Sequence, residues 1–93
     1  MAQDPIHSFR EQIDQIDGQL LKLLNRRAAA ALEIGRLKRA SQQPIYVPLR
    51  EEAVLQRMVN ENRGPLPASA VEAVFRAIMS EMRALEEAAI SPP

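Results

Sequence analysis

The sequence predicts an all-α fold of three helices, one long, one short and one of medium length, forming an intertwined homodimeric bundle. Three observations lead there. Apolar residues recur at helical spacing in three segments, and no stretch shows the period-two alternation or β-branched enrichment of a strand. The first segment also runs too far without a breaker to fit inside one small globule.

The first helix is expected to open at "DPIH", where Asp4 can cap and Pro5 suits the first turn. Nothing breaks it before "SQQP" at 41–44, since Gly18 and Gly35 are tolerated interruptions. It is therefore about 35 residues long, or about 50 Å at 1.5 Å per residue. A 93-residue globule is only about 30 Å across. A second copy that covers the apolar stripe resolves the mismatch, so the expected assembly is a homodimer. The second helix follows Pro48, with Leu55, Met58 and Val59 as its buried face and Gly64 and Pro65 ending it. The third starts near "PASAVE", with Pro67 in the first turn and a capping box from Ser69 and Glu72. Its stripe reads Val71, Val74, Ile78, Met82, Leu85 and Ala89, flanked by Phe75 and Met79. The closing Ser91, Pro92 and Pro93 suit either a terminus or, from about residue 91, a linker to a further domain. Residues 1–93 read as a single domain.

Composition excludes several classes of function. Ninety-three residues bury only a modest core unaided. With no cysteine and a single histidine, His7, there is no disulfide framework and no cluster with zinc-ligand spacing, so no metal is expected. The polar start "MAQDPIHSFREQ" resembles neither a signal peptide nor an anchor, and no later run approaches a membrane span, which leads us to expect a cytoplasmic protein. Twelve basic and twelve acidic residues cancel, and three aromatics make no stacking platform, which argues against a nucleic-acid partner. The charge is nonetheless uneven. Between Lys22 and Arg39 stand six cations and one acid, Glu33, which makes that stretch attractive to a small anion.

One residue violates the pattern of the first helix. Its stripe runs Phe9, Ile13, Ile16, Leu20, Leu23, then meets Arg27 before Ala30, Ile34 and Leu37 resume it. Lys38 lies eleven residues on, within about 20° of the azimuth of Arg27, whereas Arg10 points about 100° away and would have to come from a partner chain to join them. Taken singly, Arg27 fits a snorkelling or salt-bridged residue as well as an anion site. Arg50, Glu51 and Glu52 fit ordinary first-turn charge, and Glu86 fits a solvated edge.

Taken together, these residues resemble a known family, the all-helical (AroQ-class) chorismate mutases, and within it the amino-terminal mutase domain of bifunctional proteins that also carry prephenate dehydratase. The resemblance runs through "FREQIDQIDGQLLKLLNRRAAAALEIGRLK", "PIYVPLREEAVLQRM", "GPL" and "VFRAIMSEMRALEE". It implies that Arg27 grips a substrate carboxylate and that Lys38 contacts the ether oxygen of chorismate. It implies further that Arg10 reaches the site from the other protomer, that Arg50 belongs to the site, and that Glu51 binds the ring hydroxyl. Glu86 would stand near the ether oxygen, where some members have glutamine. Two positions depart from the pattern. Val47 replaces an aspartate that can cap the second helix, and Met82 replaces a serine one turn before Glu86, so affinity for substrate is where this chain should differ.

The implied reaction, chorismate to prephenate, breaks a carbon–oxygen bond as a carbon–carbon bond forms and needs no nucleophile, metal or cofactor. Cations would hold the dianion in its reactive conformer, and donors would stabilise charge growing on the ether oxygen. Only a protonated Glu86 can donate there, so it is expected to work as the neutral acid, its pKa raised by burial against the pull of neighbouring cations. Activity should then fall as pH rises. The alternatives are an isochorismate pyruvate-lyase on the same fold and a non-catalytic helical dimerisation or regulatory module in which Arg27 and Lys38 merely form ion pairs. Ala28 to Ala31 are expected to leave room for the substrate or to let partner helices approach closely.

Overall fold

In the computed structural model, which describes residues 4–90, three helices follow one another: α1 (Pro5–Ala40), α2 (Pro48–Glu61) and α3 (Ala68–Ile90). No strand occurs among the described residues. The expected linker from about residue 91 lies outside them. The chain divides into two units, Met1–Ala30 and Ala31–Pro93.

The first unit consists of α1 up to Ala30. Asp4 caps it as expected, its Oδ1 accepting the Ile6 N–H at 3.0 Å while Pro5 takes the first helical position, which needs no donor. Its apolar stripe is open to solvent: Phe9 is 63% exposed and Ile16 52%, and Ile13, Leu20 and Leu23 are similar.

In the second unit α1 ends in a left-handed cap. Gln42 takes φ +58°, and its N–H donates to the Arg39 carbonyl at 3.2 Å while the Gln43 N–H donates to the Lys38 carbonyl at 2.8 Å. Glycine is the usual residue at such a position. The Ser41 hydroxyl donates to the Leu37 carbonyl and satisfies one more helix-end acceptor. At α2, Val47 is the N-cap and offers no side-chain acceptor; its carbonyl receives the Arg50 and Glu51 N–H groups instead, and Pro48 opens the helix. Asn62 closes α2, donating from Nδ2 to the Leu66 carbonyl at 2.7 Å and accepting the Gly64 N–H on Oδ1.

The core of this unit lies between α2 and α3. Leu55, 2% exposed, packs with Val54 and Met79, and Met58 and Phe75 close over them. Burying one such side chain contributes about 1.5–3 kcal/mol. Three expectations need correction. Val54 joins Leu55 in the buried face of α2; of the stripe expected on α3, Val71 and Met82 are buried while Val74, Leu85 and Ala89 are exposed, and Met79 and Glu86 join the buried side. The capping box fails because α3 begins at Ala68, which puts Ser69 inside the helix; the Pro67 carbonyl receives the Ala70 and Val71 N–H groups.

Candidate active site

Three helices of the second unit contribute to one neighbourhood. Gly35 on α1 lies directly against Glu86 on α3. A Cβ at position 35 would stand 3.3 Å from Glu86 Cβ and Cγ, so the hydrogen side chain is what lets α1 and α3 approach this closely. Glu86 is 9% exposed, the one charged residue among the buried ones described. The solvated-edge reading of it is thereby removed, since an edge residue would stand in water.

Lys38 follows Gly35 by three residues and so falls on the same side of α1. It is half-buried, and its Nζ donates to the Ile45 carbonyl at 3.0 Å. The backbone of residue 38 closes the helix through its bond with Gln43 while its ammonium ties down the far side of the same turn. That turn delivers Tyr46 to α3, where the Arg83 guanidinium lies 4.4 Å from the ring centroid, within cation–π range. Arg83 Nε in turn stands 2.8 Å from Glu51 Oε2 on the first turn of α2. The Nε–H is buried but does not point along that line, so the contact is an ion pair without the alignment of a hydrogen bond.

The six residues expected at the site are therefore distributed as follows. Lys38, Glu51 and Glu86 belong to this neighbourhood, joined through Gly35, Ile45, Tyr46 and Arg83. Arg50 stands on the first turn of α2 beside Glu51 and is exposed. Arg10 and Arg27 belong to the first unit, Arg10 exposed and Arg27 half-buried. The single acid of the basic stretch, Glu33, pairs with Arg36 and leaves the other cations of that stretch uncompensated from within it. Met82, buried, and Val47, half-buried, lie beside Arg83 and Tyr46 in the chain and add no charge.

Sequence reasoning missed Arg83, Tyr46 and the contact of Gly35 with Glu86. The one local sign was Arg83 itself, a cation three residues before Glu86 on the same side of α3. The arrangement is suited to holding an anion with a hydroxyl: a cation with further donor capacity at Lys38, a carboxylate acceptor at Glu51, and a buried carboxyl at Glu86. Among the described residues no helix is long and apolar enough to cross a membrane, and no three or more His, Cys, Asp or Glu residues gather as a metal site.

Comparison with known proteins bears on the family and the fold. The family model described as chorismate mutase type II matches residues 9–87. The bifunctional chorismate mutase/prephenate dehydratase of Neisseria gonorrhoeae is 48% identical over 77 residues, covering 83% of this chain and 21% of that protein. The protein of the same name from Aquifex aeolicus is 34% identical over 88 residues, covering 90% and 24%. The chain thus spans between a fifth and a quarter of the length of these curated relatives. Among solved structures, a chorismate mutase of Thermus thermophilus superposes with a TM-score of 0.89 at 34% identity, covering 90% of this chain and 96% of that one. The chorismate mutase of Helicobacter pylori in complex with prephenate gives 0.84 at 28% identity, covering 91% and 92%.

Proposed function

The chain belongs to the type II chorismate mutase family, and from that membership we propose that it rearranges chorismate to prephenate, a step toward phenylalanine and tyrosine, with no covalent intermediate. The observation that carries the reading is the gathering of Lys38, Glu51 and Glu86, from three different helices, into one unit. In the reaction Lys38 donates to the ether oxygen as negative charge grows on it, and Glu86, as the neutral acid, donates to the same atom. Glu51 accepts the hydrogen bond of the ring hydroxyl. Arg27 and Arg50 hold the carboxylates, and the compact conformer they impose accounts for part of the rate. Donors aimed at developing charge account for the rest, since they are already in place when the charge appears.

Arg10 completes the site from a second copy of the chain. The exposed stripe of Phe9, Ile13, Ile16 and Leu20 supports that homodimer, because a partner is what removes such a stripe from water. A single mutase domain over residues 1–93, a cytoplasmic setting, and fusion to a dehydratase through a linker from about residue 91 belong to the same reading; the two bifunctional relatives named above support the fusion.

The test is an assay of chorismate loss and prephenate formation with the wild-type protein and with Lys38→Ala. The variant should lose about a hundredfold to a thousandfold in kcat, the usual cost of one donor at a developing oxyanion. Full activity in Lys38→Ala would sink the assigned role. Release of pyruvate from isochorismate in place of prephenate formation would identify a lyase.

A further inference from the structure

We infer that Arg83 is a positioning residue that fixes Glu51 for the ring hydroxyl of the substrate, with the face of Tyr46 fixing Arg83 in turn. The inference rests on the mutase reading and adds two residues to it. A glutamate on the first turn of a helix has three rotatable bonds and, left alone, samples several rotamers. Here its Oε2 stands 2.8 Å from Arg83 Nε, its side chain is only 21% exposed, and that of Arg83 is 35% exposed, so the pair is shielded from water on most sides. The guanidinium is held from a second direction by the Tyr46 ring, 4.4 Å from centroid to Cζ. An arginine gripped by an aromatic face and a carboxylate at once has little rotamer freedom left, and whatever it grips inherits the restriction.

The charge balance leads the same way. Val47, the residue next to Tyr46, has no polar side chain with which to meet a hydroxyl, so Glu51 is the acceptor that this part of the unit offers. An unrestrained carboxylate would lose freedom each time it met the hydroxyl, and Arg83 removes that cost before binding. Pairing through Oε2 leaves Oε1 to meet the substrate. The buried Nε–H makes no hydrogen bond to that carboxylate, so Arg83 holds Glu51 by charge, and the position of Glu51 depends on Arg83. Tyr46 acts one step further out, through Arg83.

The experiment compares wild type, Arg83→Met, Glu51→Gln and the double variant on two substrates, chorismate and its analogue lacking the ring hydroxyl. Methionine keeps the length and helix preference of the arginine stem, and circular dichroism with a thermal midpoint checks each fold. On chorismate, Arg83→Met should lose about tenfold to a hundredfold in kcat/KM, with KM carrying most of the change because the hydroxyl is bound alike in ground and transition states. On the analogue it should lose less than about twofold, and in the Glu51→Gln background its further effect should also stay below about twofold. Equal losses on both substrates would show a merely structural role and overturn the inference, as would unchanged kinetics on chorismate. Wild-type protein inert toward chorismate would overturn the mutase reading and the inference with it.

Discussion

Glu86 combines two properties that rarely occur together, a carboxyl group and burial at 9% exposure. The neighbour that makes this possible is Gly35, whose missing side chain leaves the room that Glu86 Cβ and Cγ occupy against α1. In its proposed role Glu86 donates to the ether oxygen, and only the neutral acid can do so. Activity should therefore be highest where Glu86 is protonated and fall as pH rises. Glu86→Gln, whose amide donates at every pH, should flatten the profile of kcat against pH; a falling limb of unchanged slope in that variant would exclude the role. Arg83 acts at the same scale. Its value lies less in its own charge than in the carboxylate it holds still.

At the scale of the element, both ends of the loop joining α1 to α2 are built with substitutes. Gln42 occupies the left-handed position where glycine is usual, and Val47 caps α2 with no side-chain acceptor. A non-glycine residue in that conformation costs about 1–2 kcal/mol, while glycine costs about 0.5–1 kcal/mol in chain entropy. The difference favours replacement. Gln42→Gly should stabilise the protein by about 0.5–1 kcal/mol, read as a raised urea midpoint at constant m-value. A lowered midpoint would mean that the glutamine side chain makes a contribution its conformation conceals. Because the same turn brings the Ile45 carbonyl to Lys38 and Tyr46 to Arg83, its geometry concerns the site as much as the helix end.

For the whole molecule, the decisive feature is the stripe on the first unit. Burying Phe9, Ile13, Ile16 or Leu20 in a partner interface would contribute about 1.5–3 kcal/mol for each side chain, and a charge placed among them would meet a full desolvation cost. On the proposed homodimer, Ile16→Glu should therefore shift the protein from dimer to monomer in sedimentation velocity and lower mutase activity at least about tenfold, since the proposed site takes Arg10 from the partner. A variant that stays dimeric and active would show that the stripe serves another purpose.

Features carried by neighbouring residues were legible in the amino-acid order. The number of helices, their sequence along the chain, the Asp4 cap and the proline openings follow from periodicity and punctuation within a few turns, whereas Lys38, Glu51 and Glu86 were assigned to a site only by the family resemblance. Even here a local signal misled: the Ser69 and Glu72 pattern suits a cap, yet the helix starts before it because the Pro67 carbonyl already serves. The tertiary structure alone decided which face of α3 is buried, that Gly35 meets Glu86, and that Arg83 joins Glu51 to Tyr46. These partners stand far apart in the chain. Their contact depends on how α1, the turn and α2 pack against α3, and no periodicity within a single helix encodes that packing.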